Sequence, residues 1–316
     1  MRILLAAALG CWLVSAQAAE SWTAPRTAFG QPDLQGVWTN PTITPMERPA
    51  SLADRQFLSD DEIAAMERRT AENRARSDAN VVVEQGANVG GYNQFWLDSG
   101  DTVLSTGQTS LVVDPPTGRA PIRADAEAER DFFFDHVEDS YEYMTVWDRC
   151  ITRGVPGSML PAGYNNAYRI VQTPDAVIII YEMIHDVRII PFAKDAHIDD
   201  KVRLWMGDSL AHWEGDSLVI ETTNFNDRGM IASSMAGGRL KGVPVSEQLH
   251  VLERFTRVSD DTIIWDAHIT DPAAYTQPFT ISMPLTRDRE YVMYEYACHE
   301  GNYAVPNILK AGRAKD

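Results

Sequence analysis

Residues 294–303, near the C-terminus, carry an unusual density of groups that can move a proton. The stretch reads YEYACHEGNY and holds a histidine, carboxylates, phenols and an amide. Acid–base catalysis needs a partnered histidine, and hydrogen-bond donors stabilise the charge that develops. We therefore expect His299 to transfer protons, with Glu300 orienting its ring and Tyr296 or Tyr303 donating a hydrogen bond. The same groups are equally compatible with a structural network that locks a last strand.

A second candidate segment, residues 181–188, reads YEMIHDVR. If it is extended, strand alternation places His185 on one face and Glu182 with Arg188 on the other. If His185 lies in a turn instead, Glu182 and His185 could converge, and the carboxylate would make the imidazole a better base. Arg188 could then hold developing negative charge. The alternative is a surface ion pair between Arg188 and Glu182 beside a packed histidine.

Two of the three cysteines, Cys150 and Cys298, lie outside the N-terminal segment. An isolated pair in an exported protein favours a disulfide, and two unpaired buried thiols are the alternative. The bond would bring Arg149 and Arg153 next to His299. Arg149 there could hold developing negative charge. A run further along the chain could reach the same neighbourhood and bind substrate: Tyr164, Asn165 and Asn166.

Two further histidines fall at alternate positions of predicted strands. His250 is spaced with Arg254, and Asp266 with His268, so that each pair shares one face of its strand. We expect His250 and His268 to line a barrel interior and bind substrate. A solvated outer face is equally compatible with this spacing.

Motifs for the commonest cofactor and nucleophile chemistries are absent from the sequence. It contains no GxxxxGK[ST], no GxGxxG after a predicted strand, no GxSxG, no HExxH and no CxxC. We therefore expect no cofactor and no metal. A metal site built from the scattered histidines remains open.

Residues 1–18 have the organisation of a secretory signal peptide. Arg2 precedes an apolar run over residues 3–14, and the AQA at 16–18 offers a small-x-small cleavage site. The run is too short for a membrane anchor. Lipidation at Cys11, in a loose lipoprotein-like context, is the other alternative. We expect cleavage after the second alanine of AQA and export to the periplasm or the medium.

The formal net charge of −17 narrows the choice of partners. Such a surface repels nucleic acid and anionic lipid, so we expect neither nucleic-acid binding nor membrane insertion. Ample aromatic and apolar residues are compatible with a small organic molecule as the partner. The sequence does not indicate an oligomeric state.

Short segments with period-two alternation, separated by turn residues, predict a mainly β fold. Their hairpin succession favours an antiparallel barrel or strongly curved sheet of lipocalin-like character, with helices from the N-terminal third packed outside. The predicted strands are 34–39, 95–97, 103–106, 110–113, 168–173, 177–183, 187–191, 203–206, 212–213, 218–223, 249–257, 262–270, 279–283 and 291–296.

Two helices are predicted, at 62–75 behind a capping box that starts at Ser59 and at 123–143 with a heavy aromatic stripe. Residues 228–245 form a long loop that could cover a barrel mouth. The expected organisation is a signal peptide over 1–18, an arm with a peripheral helix over 19–80, and a barrel-like domain over 81–316.

Several longer motifs carry a resemblance that spans nearly the whole mature chain. They include PDLQGVWTN at 32–40, TSLVVDPP at 109–116, YEMIHDVR at 181–188, HWEGDSLVIETTNF at 212–225 and YACHEGNY at 296–303. With these motifs the chain resembles a large family of uncharacterised exported bacterial proteins. Gly36-Val37-Trp38 also resembles the GxW entry strand of lipocalins, in which the tryptophan closes one end of the barrel. The resemblance implies export and a barrel, and it implies no activity.

Together these features predict an exported enzyme that acts on a small, partly apolar molecule by histidine and glutamate acid–base chemistry, of isomerase, lyase or hydrolase type. The alternative is a non-catalytic, lipocalin-like protein that encloses the same kind of molecule. A third possibility is an envelope protein whose acidic surface binds a protein partner. An acid–base enzyme needs its polar groups to converge at a pocket, whereas a carrier needs only one or two of them there.

Overall fold

The computed structural model of the protein describes residues 22–52, 54–79, 97–192 and 196–314. The predicted signal peptide and most of the predicted strand 95–97 fall outside these ranges. None of the helices in these ranges combines the length and the hydropathy of a membrane-spanning segment.

Ten strands and three α-helices occur in the described ranges. The strands are β1 (Gly36–Thr39), β2 (Val112–Asp114), β3 (Tyr168–Gln172), β4 (Ala176–Tyr181), β5 (Val187–Pro191), β6 (Asp208–Glu214), β7 (Ser217–Thr223), β8 (His250–Ser259), β9 (Thr262–Thr270) and β10 (Phe279–Arg287). The helices are α1 (Asp60–Ala79), α2 (Ala124–Asp135) and α3 (Ala304–Arg313).

Nine of these strands form an antiparallel sheet that nearly closes into a barrel. Their order is β5-β4-β3-β1-β10-β9-β8-β7-β6, and β2 pairs with β10 away from this path. The two end strands approach each other, since a parallel bridge joins Phe192, just after β5, to Ala211 on β6. The prediction of a mainly antiparallel, lipocalin-like barrel is therefore confirmed.

Period-two alternation explains how these strands build the core. On β9, Ile263, Trp265 and Ile269 are buried, and the residues between them face outward. They pack with inward side chains of neighbouring strands, such as Phe255 on β8 and Met283 on β10, in one hydrophobic core. The barrel interior is thus lined by packed, bulky side chains.

The N-terminal arm supplies a strand and a buried tryptophan to the barrel. β1 lies between β3 and β10, so the predicted arm, 19–80, contributes a strand to the sheet. Trp38 is buried and donates its indole N–H to the carbonyl of Leu34 at 2.9 Å. The guanidinium groups of Arg257 and Arg287 lie 5.8 and 5.6 Å from its ring.

The first predicted helix is present and longer than expected. Its capping box forms as predicted: Ser59 N donates to a Glu62 carboxylate oxygen at 2.9 Å, and Glu62 N donates to Ser59 Oγ at 3.4 Å. Among the side chains described in α1, none is fully buried. The helix therefore packs outside the barrel as a peripheral cover.

The second predicted helix, 123–143, is wrong in its C-terminal half. α2 ends at Asp135, and the chain resumes helical geometry only as a 3-10 turn at Tyr141–Tyr143. Ser140 caps that turn by accepting a hydrogen bond from Glu142 N at 3.2 Å. This local bond competes with helix continuation.

Three predicted strands are wrong. Residues 103–106 form a turn, residues 203–206 make only an isolated bridge at Leu204, and residues 291–296 have no strand partner. The last segment cannot join the sheet because β10 already pairs with β9 on one side and with β1 and β2 on the other. It crosses the outside of the barrel instead and leads to α3, a helix that the sequence analysis does not predict.

The predicted loop 228–245 folds onto the hydrophobic core. It contains a 3-10 turn at Met235–Leu240, and its Ile231, Leu240 and Val243 are fully buried. The loop joins β7 to β8 at the end of the barrel opposite the N-terminal arm, which is also the end that holds the β4–β5 connection.

Candidate active site

The C-terminal segment, residues 288–303, is held against the barrel by a buried carboxylate. Glu182, at the end of β4, has no exposed surface. Tyr291 donates its hydroxyl to both Glu182 oxygens, at 2.9 and 2.8 Å, and Tyr294 N donates to one of them at 3.0 Å. Burial and then this hydrogen bond raise the pKa of Tyr291, so the phenol stays protonated as a donor. Glu182 is therefore an anchor for this segment and does not orient a histidine.

A disulfide makes the second attachment. Cys150 and Cys298 are bonded, with their Cα atoms 5.5 Å apart, as predicted. Asn302 strengthens the contact because its amide donates to the carbonyl of Asp148 at 3.0 Å. The segment is thus fixed at both the β4 end and the chain around Cys150.

These attachments bring two histidines together. His185 lies in the 3-10 turn Met183–His185, between β4 and β5, and its Nδ1 is 3.1 Å from the carbonyl oxygen of Tyr296. The ring of His299 lies 5.7 Å away, centroid to centroid, in an edge-on arrangement. Both rings are on the outside of the barrel and exposed.

Backbone strain is concentrated around the same segment. Five described residues other than glycine have a left-handed backbone, and four of them are Cys150, Asn165, Ile184 and His185, with φ of 54°, 52°, 65° and 49°. Cys150 is bonded to the segment, and Asn165 follows the tyrosine whose ring packs on Tyr296. Strain of this kind persists only where the surroundings hold it, and it is common at functional sites.

One face of the His185 ring borders a cleft of about 350 Å³, which we call the His185 cleft. Its floor is the outer face of β3 and β4, where Arg169 lies directly across from Ile180. The cleft is lined by Arg169, Ile180, Tyr181, His185, Met293, Tyr294 and Glu295. It therefore combines an imidazole with a cation, a carboxylate and an apolar floor.

Other predicted residues line a neighbouring hollow of about 550 Å³. Tyr164, Tyr296, Glu300 and Tyr303 all border it. The Tyr164 and Tyr296 rings pack at 6.0 Å. Tyr296 belongs to both places, because its ring faces this hollow and its carbonyl oxygen holds His185.

Arg188 lies in the barrel interior, away from Glu182. Its guanidinium forms a buried ion pair with Glu253 at 2.7 Å and donates to the hydroxyls of Ser209 and Thr222 at 3.0 and 3.1 Å. Burial alone would lower the pKa of Arg188, but the charges and hydrogen bonds of Glu253 and Tyr181 together outweigh it and raise that pKa. The alternative interpretation, a surface ion pair of Arg188 with Glu182, is therefore wrong, because β5 turns this side chain inward.

Arg149 and Arg153 do not join the histidines, although the disulfide forms. Arg149 borders a separate cleft of about 510 Å³ and lies 5.9 Å from the ring of Trp205. Burial lowers the pKa of its guanidinium. Arg153 is buried, and its guanidinium lies 5.5 Å from the centre of the Trp147 ring.

The remaining predicted binding residues have structural partners elsewhere. Asn166 is buried and bonds to the backbone of Ala162 and to the carbonyl of Asp98. His250 pairs with Glu221 at 2.7 Å, and His268 contacts Thr280 Oγ1 at 3.1 Å, both on the outer face of the barrel. Neither histidine lines the interior, because the inward positions of β8 and β9 are the intervening ones.

The sequence analysis missed Arg169, Met293 and Glu295 as site residues. The signal for Arg169 was available: a hairpin turn at Pro174-Asp175 sets Arg169 opposite Ile180, on the face that alternation leaves outside. Met293 and Glu295 carried no such signal, because their segment was predicted to be a strand. Among the described residues, no group of three or more histidines, cysteines and carboxylates is placed to hold a metal ion.

Comparison with protein-family models, with curated proteins and with solved structures finds no match for this chain. The relation to a family of exported bacterial proteins therefore stays a prediction.

Proposed function

We propose that the protein is an exported enzyme that moves a proton on a small, partly apolar organic molecule, with His185 as the base. The observation that carries this proposal is the 3.1 Å contact between His185 Nδ1 and the carbonyl oxygen of Tyr296. Because a carbonyl oxygen only accepts, Nδ1 must carry a proton, and in the neutral imidazole Nε2 then keeps the lone pair. An imidazole in this tautomer can take a proton from a bound molecule.

The other groups of the His185 cleft suit a substrate with an oxygen and an apolar part. Ile180 and Met293 offer apolar contact, and a volume of about 350 Å³ accommodates a small molecule. Removing a proton beside a carbonyl moves negative charge onto its oxygen, and the Arg169 guanidinium, which borders the same cleft, can stabilise that charge.

His185 could act alone or together with His299, and the two cases give different reactions. His185 accepts a proton from one carbon and can return it to another, which is an isomerisation with no net change in protons. His299, with its ring 5.7 Å from that of His185, can supply a proton to a leaving group instead, which is an elimination. The arrangement therefore supports isomerase or lyase chemistry best.

Export of the protein is consistent with the disulfide that attaches the C-terminal segment. The disulfide between Cys150 and Cys298 requires an oxidising compartment to persist, and residues 1–18 carry the signal for reaching one. We place the enzyme in the periplasm or outside the cell. Mass spectrometry of the exported protein should find Ala19 at its N-terminus.

A carrier that encloses its ligand in the barrel fits less well. Phe255, Trp265 and Met283 fill inward positions of three adjacent strands and are fully buried. The cleft beside His185 lies outside the sheet, where a ligand stays accessible and open to turnover.

Hydrogen exchange at carbon tests the proposal without knowledge of the product. The protein is incubated in D₂O with a panel of small carbonyl compounds that carry an apolar group, and deuterium incorporation at carbon is followed by NMR. We expect exchange catalysed by the wild type and a loss of roughly 10²-fold or more in His185→Gln.

His136→Gln is the matched control. His136 also has its Nδ1 close to a backbone carbonyl, that of Phe132 at 2.9 Å, but it lies at the end of α2 and does not border the cleft. The His136→Gln variant should therefore catalyse the exchange at the wild-type rate. Equal rates in wild type and His185→Gln, or no catalysed exchange with any member of the panel, would refute the proposal.

A further inference from the structure

The barrel contains a buried cation that has no counter-charge. Arg153 is 2% exposed, and its guanidinium donates to the carbonyl of Leu160 at 2.9 Å and lies 5.5 Å from the Trp147 ring. Its buried Nε has no hydrogen-bond acceptor. The groups whose charges act on it are the phenols of Tyr168 and Tyr181, and no carboxylate of the described residues is among them.

Two other buried arginines of the barrel have partners for their guanidinium groups. The Nε of Arg188 also has no acceptor, but its charge is paired with that of Glu253. Arg257 donates to three carbonyl oxygens, those of Asp33, Ser259 and Asp260, at 2.7 to 3.1 Å. Burial lowers the pKa of Arg153 to about 10. A buried charge without a partner is strongly destabilising, so the contrast calls for an explanation.

A second buried donor without an acceptor lies nearby. Tyr168, on β3, is 2% exposed, and its hydroxyl has no partner. It pairs in register with Tyr181 on β4, and both side chains face the interior, with ring centroids 6.2 Å apart. Burial raises the pKa of Tyr168 well above its usual range, so this phenol stays protonated. A hydrogen-bond acceptor for its O–H would stabilise it.

We propose that Arg153 and Tyr168 bind a small monovalent anion inside the barrel, either chloride or the carboxylate group of a small acid. One acceptor would satisfy both the Nε–H of Arg153 and the hydroxyl of Tyr168. It would also neutralise the Arg153 guanidinium, on which no carboxylate of the described residues acts. A water molecule would satisfy the donors but leave the charge uncompensated.

The test is the thermal stability of the protein in mixtures of sodium chloride and sodium gluconate at constant ionic strength. Gluconate serves as the bulky reference anion, and chloride is the small anion that we expect to bind. Above its Kd, each tenfold rise in chloride should raise the Tm of the wild type by roughly 3 °C. Sodium acetate in place of chloride distinguishes a carboxylate site from a halide site, because only the favoured anion gives the full rise.

Variants assign the effect to Arg153. Arg153→Met and Tyr168→Phe should lose or weaken the anion dependence. Arg257→Met is the matched control: it removes a buried guanidinium that carbonyls satisfy, so it should lower the Tm and keep the wild-type response. His185→Gln should keep the response too, which separates this site from the proposed catalytic one.

Direct observation keeps the proposal testable if Arg153→Met does not fold. Crystals of the wild type grown in sodium bromide should show an anomalous peak within about 3.5 Å of Arg153 Nε. Absence of that peak together with a Tm that neither chloride nor acetate changes would overturn the proposal. An equal anion response in wild type and Arg153→Met would overturn it as well.

Discussion

At the scale of single residues, hydrogen-bond partners separate anchors from candidate catalysts. Glu182 and His185 are three positions apart, but the Glu182 carboxylate is buried under Tyr291, whereas the His185 ring is exposed and bonded through one nitrogen only. A saturated, buried carboxylate stabilises structure. An exposed imidazole with a free nitrogen can react.

Tyr291→Phe tests the anchor. The variant removes the hydroxyl that serves both oxygens of Glu182 and leaves that buried carboxylate short of a donor. We expect a loss of about 1–3 kcal/mol in the free energy of unfolding, measured by urea denaturation. Tyr294→Phe is the control, since Tyr294 contributes only its backbone N–H to Glu182 and its side chain is exposed. Equal stability of the two variants would contradict the anchor.

Arg188→Met tests the interior ion pair. It leaves Glu253 buried without its cation, and we expect a loss of about 3–5 kcal/mol in urea denaturation. The double variant Arg188→Met with Glu253→Leu removes both charges and should recover much of that loss. A double variant as unstable as the single one would show that the charges are not coupled.

At the scale of elements, the C-terminal segment depends on its two attachments. After β10 it has no sheet partner, so the disulfide and Glu182 hold it against β3 and β4. We expect Cys150→Ser with Cys298→Ser to keep the barrel, seen as an unchanged far-UV circular dichroism spectrum, and to lose about 2–5 kcal/mol of stability.

The same double variant should also lose carbon–hydrogen exchange activity and become sensitive to protease between residues 288 and 303. The comparison protein is the wild type under oxidising conditions. Retained activity in the disulfide-free variant would mean that the segment is positioned without the bond.

Strands with strict alternation were predictable from the sequence, and their bounds at 187–191 and 262–270 agree with β5 and β9. Residues 291–296 alternate in a similar way but form no strand, because β10 has no free edge to offer. Local pattern reports which segments can be strands. Available edges, which depend on the whole sheet, decide which of them pair.

The candidate site, too, was only partly predictable from the sequence. Motifs at 181–188 and 294–303 drew attention to His185 and His299, and the disulfide explains how distant segments meet. The direction of each side chain was not predictable. Arg149, Arg153 and Arg188 are all cations near these motifs, but packing sends each of them to a different environment.

At the scale of the whole molecule, buried phenols make the barrel sensitive to alkali. Burial raises the pKa of Tyr181 from 10.0 to about 12 and those of Tyr168 and Tyr275 well above the usual range. Between pH 10 and pH 12 the unfolded chain loses these protons while the folded protein keeps them. The folded state then binds more protons, so the free energy of unfolding falls as pH rises.

Arg153 acts with the opposite sign, because burial lowers its pKa to about 10 and the unfolded chain keeps its proton longer. Tyr291, whose pKa is raised as well, brings the number of such phenols to four, and Arg153 offsets one of them, which leaves about three net protons. We expect full stability from these groups below pH 10 and a loss of roughly 1.4 kcal/mol per pH unit for each net proton above it. Urea denaturation at a series of pH values measures the slope; a flat profile would contradict the burial of these phenols.

The central claim is that His185 presents an unprotonated Nε2 to the cleft, and the tautomer of this histidine tests it most directly. Nitrogen-15 NMR of histidine-labelled protein at mildly alkaline pH, with the His185 signal assigned by its loss in His185→Gln, reports which ring nitrogen carries the proton. We predict a protonated Nδ1 and an unprotonated Nε2 for His185. The same tautomer is expected for His136, whose Nδ1 contacts the carbonyl oxygen of Phe132. A proton on Nε2 of His185 would contradict the account.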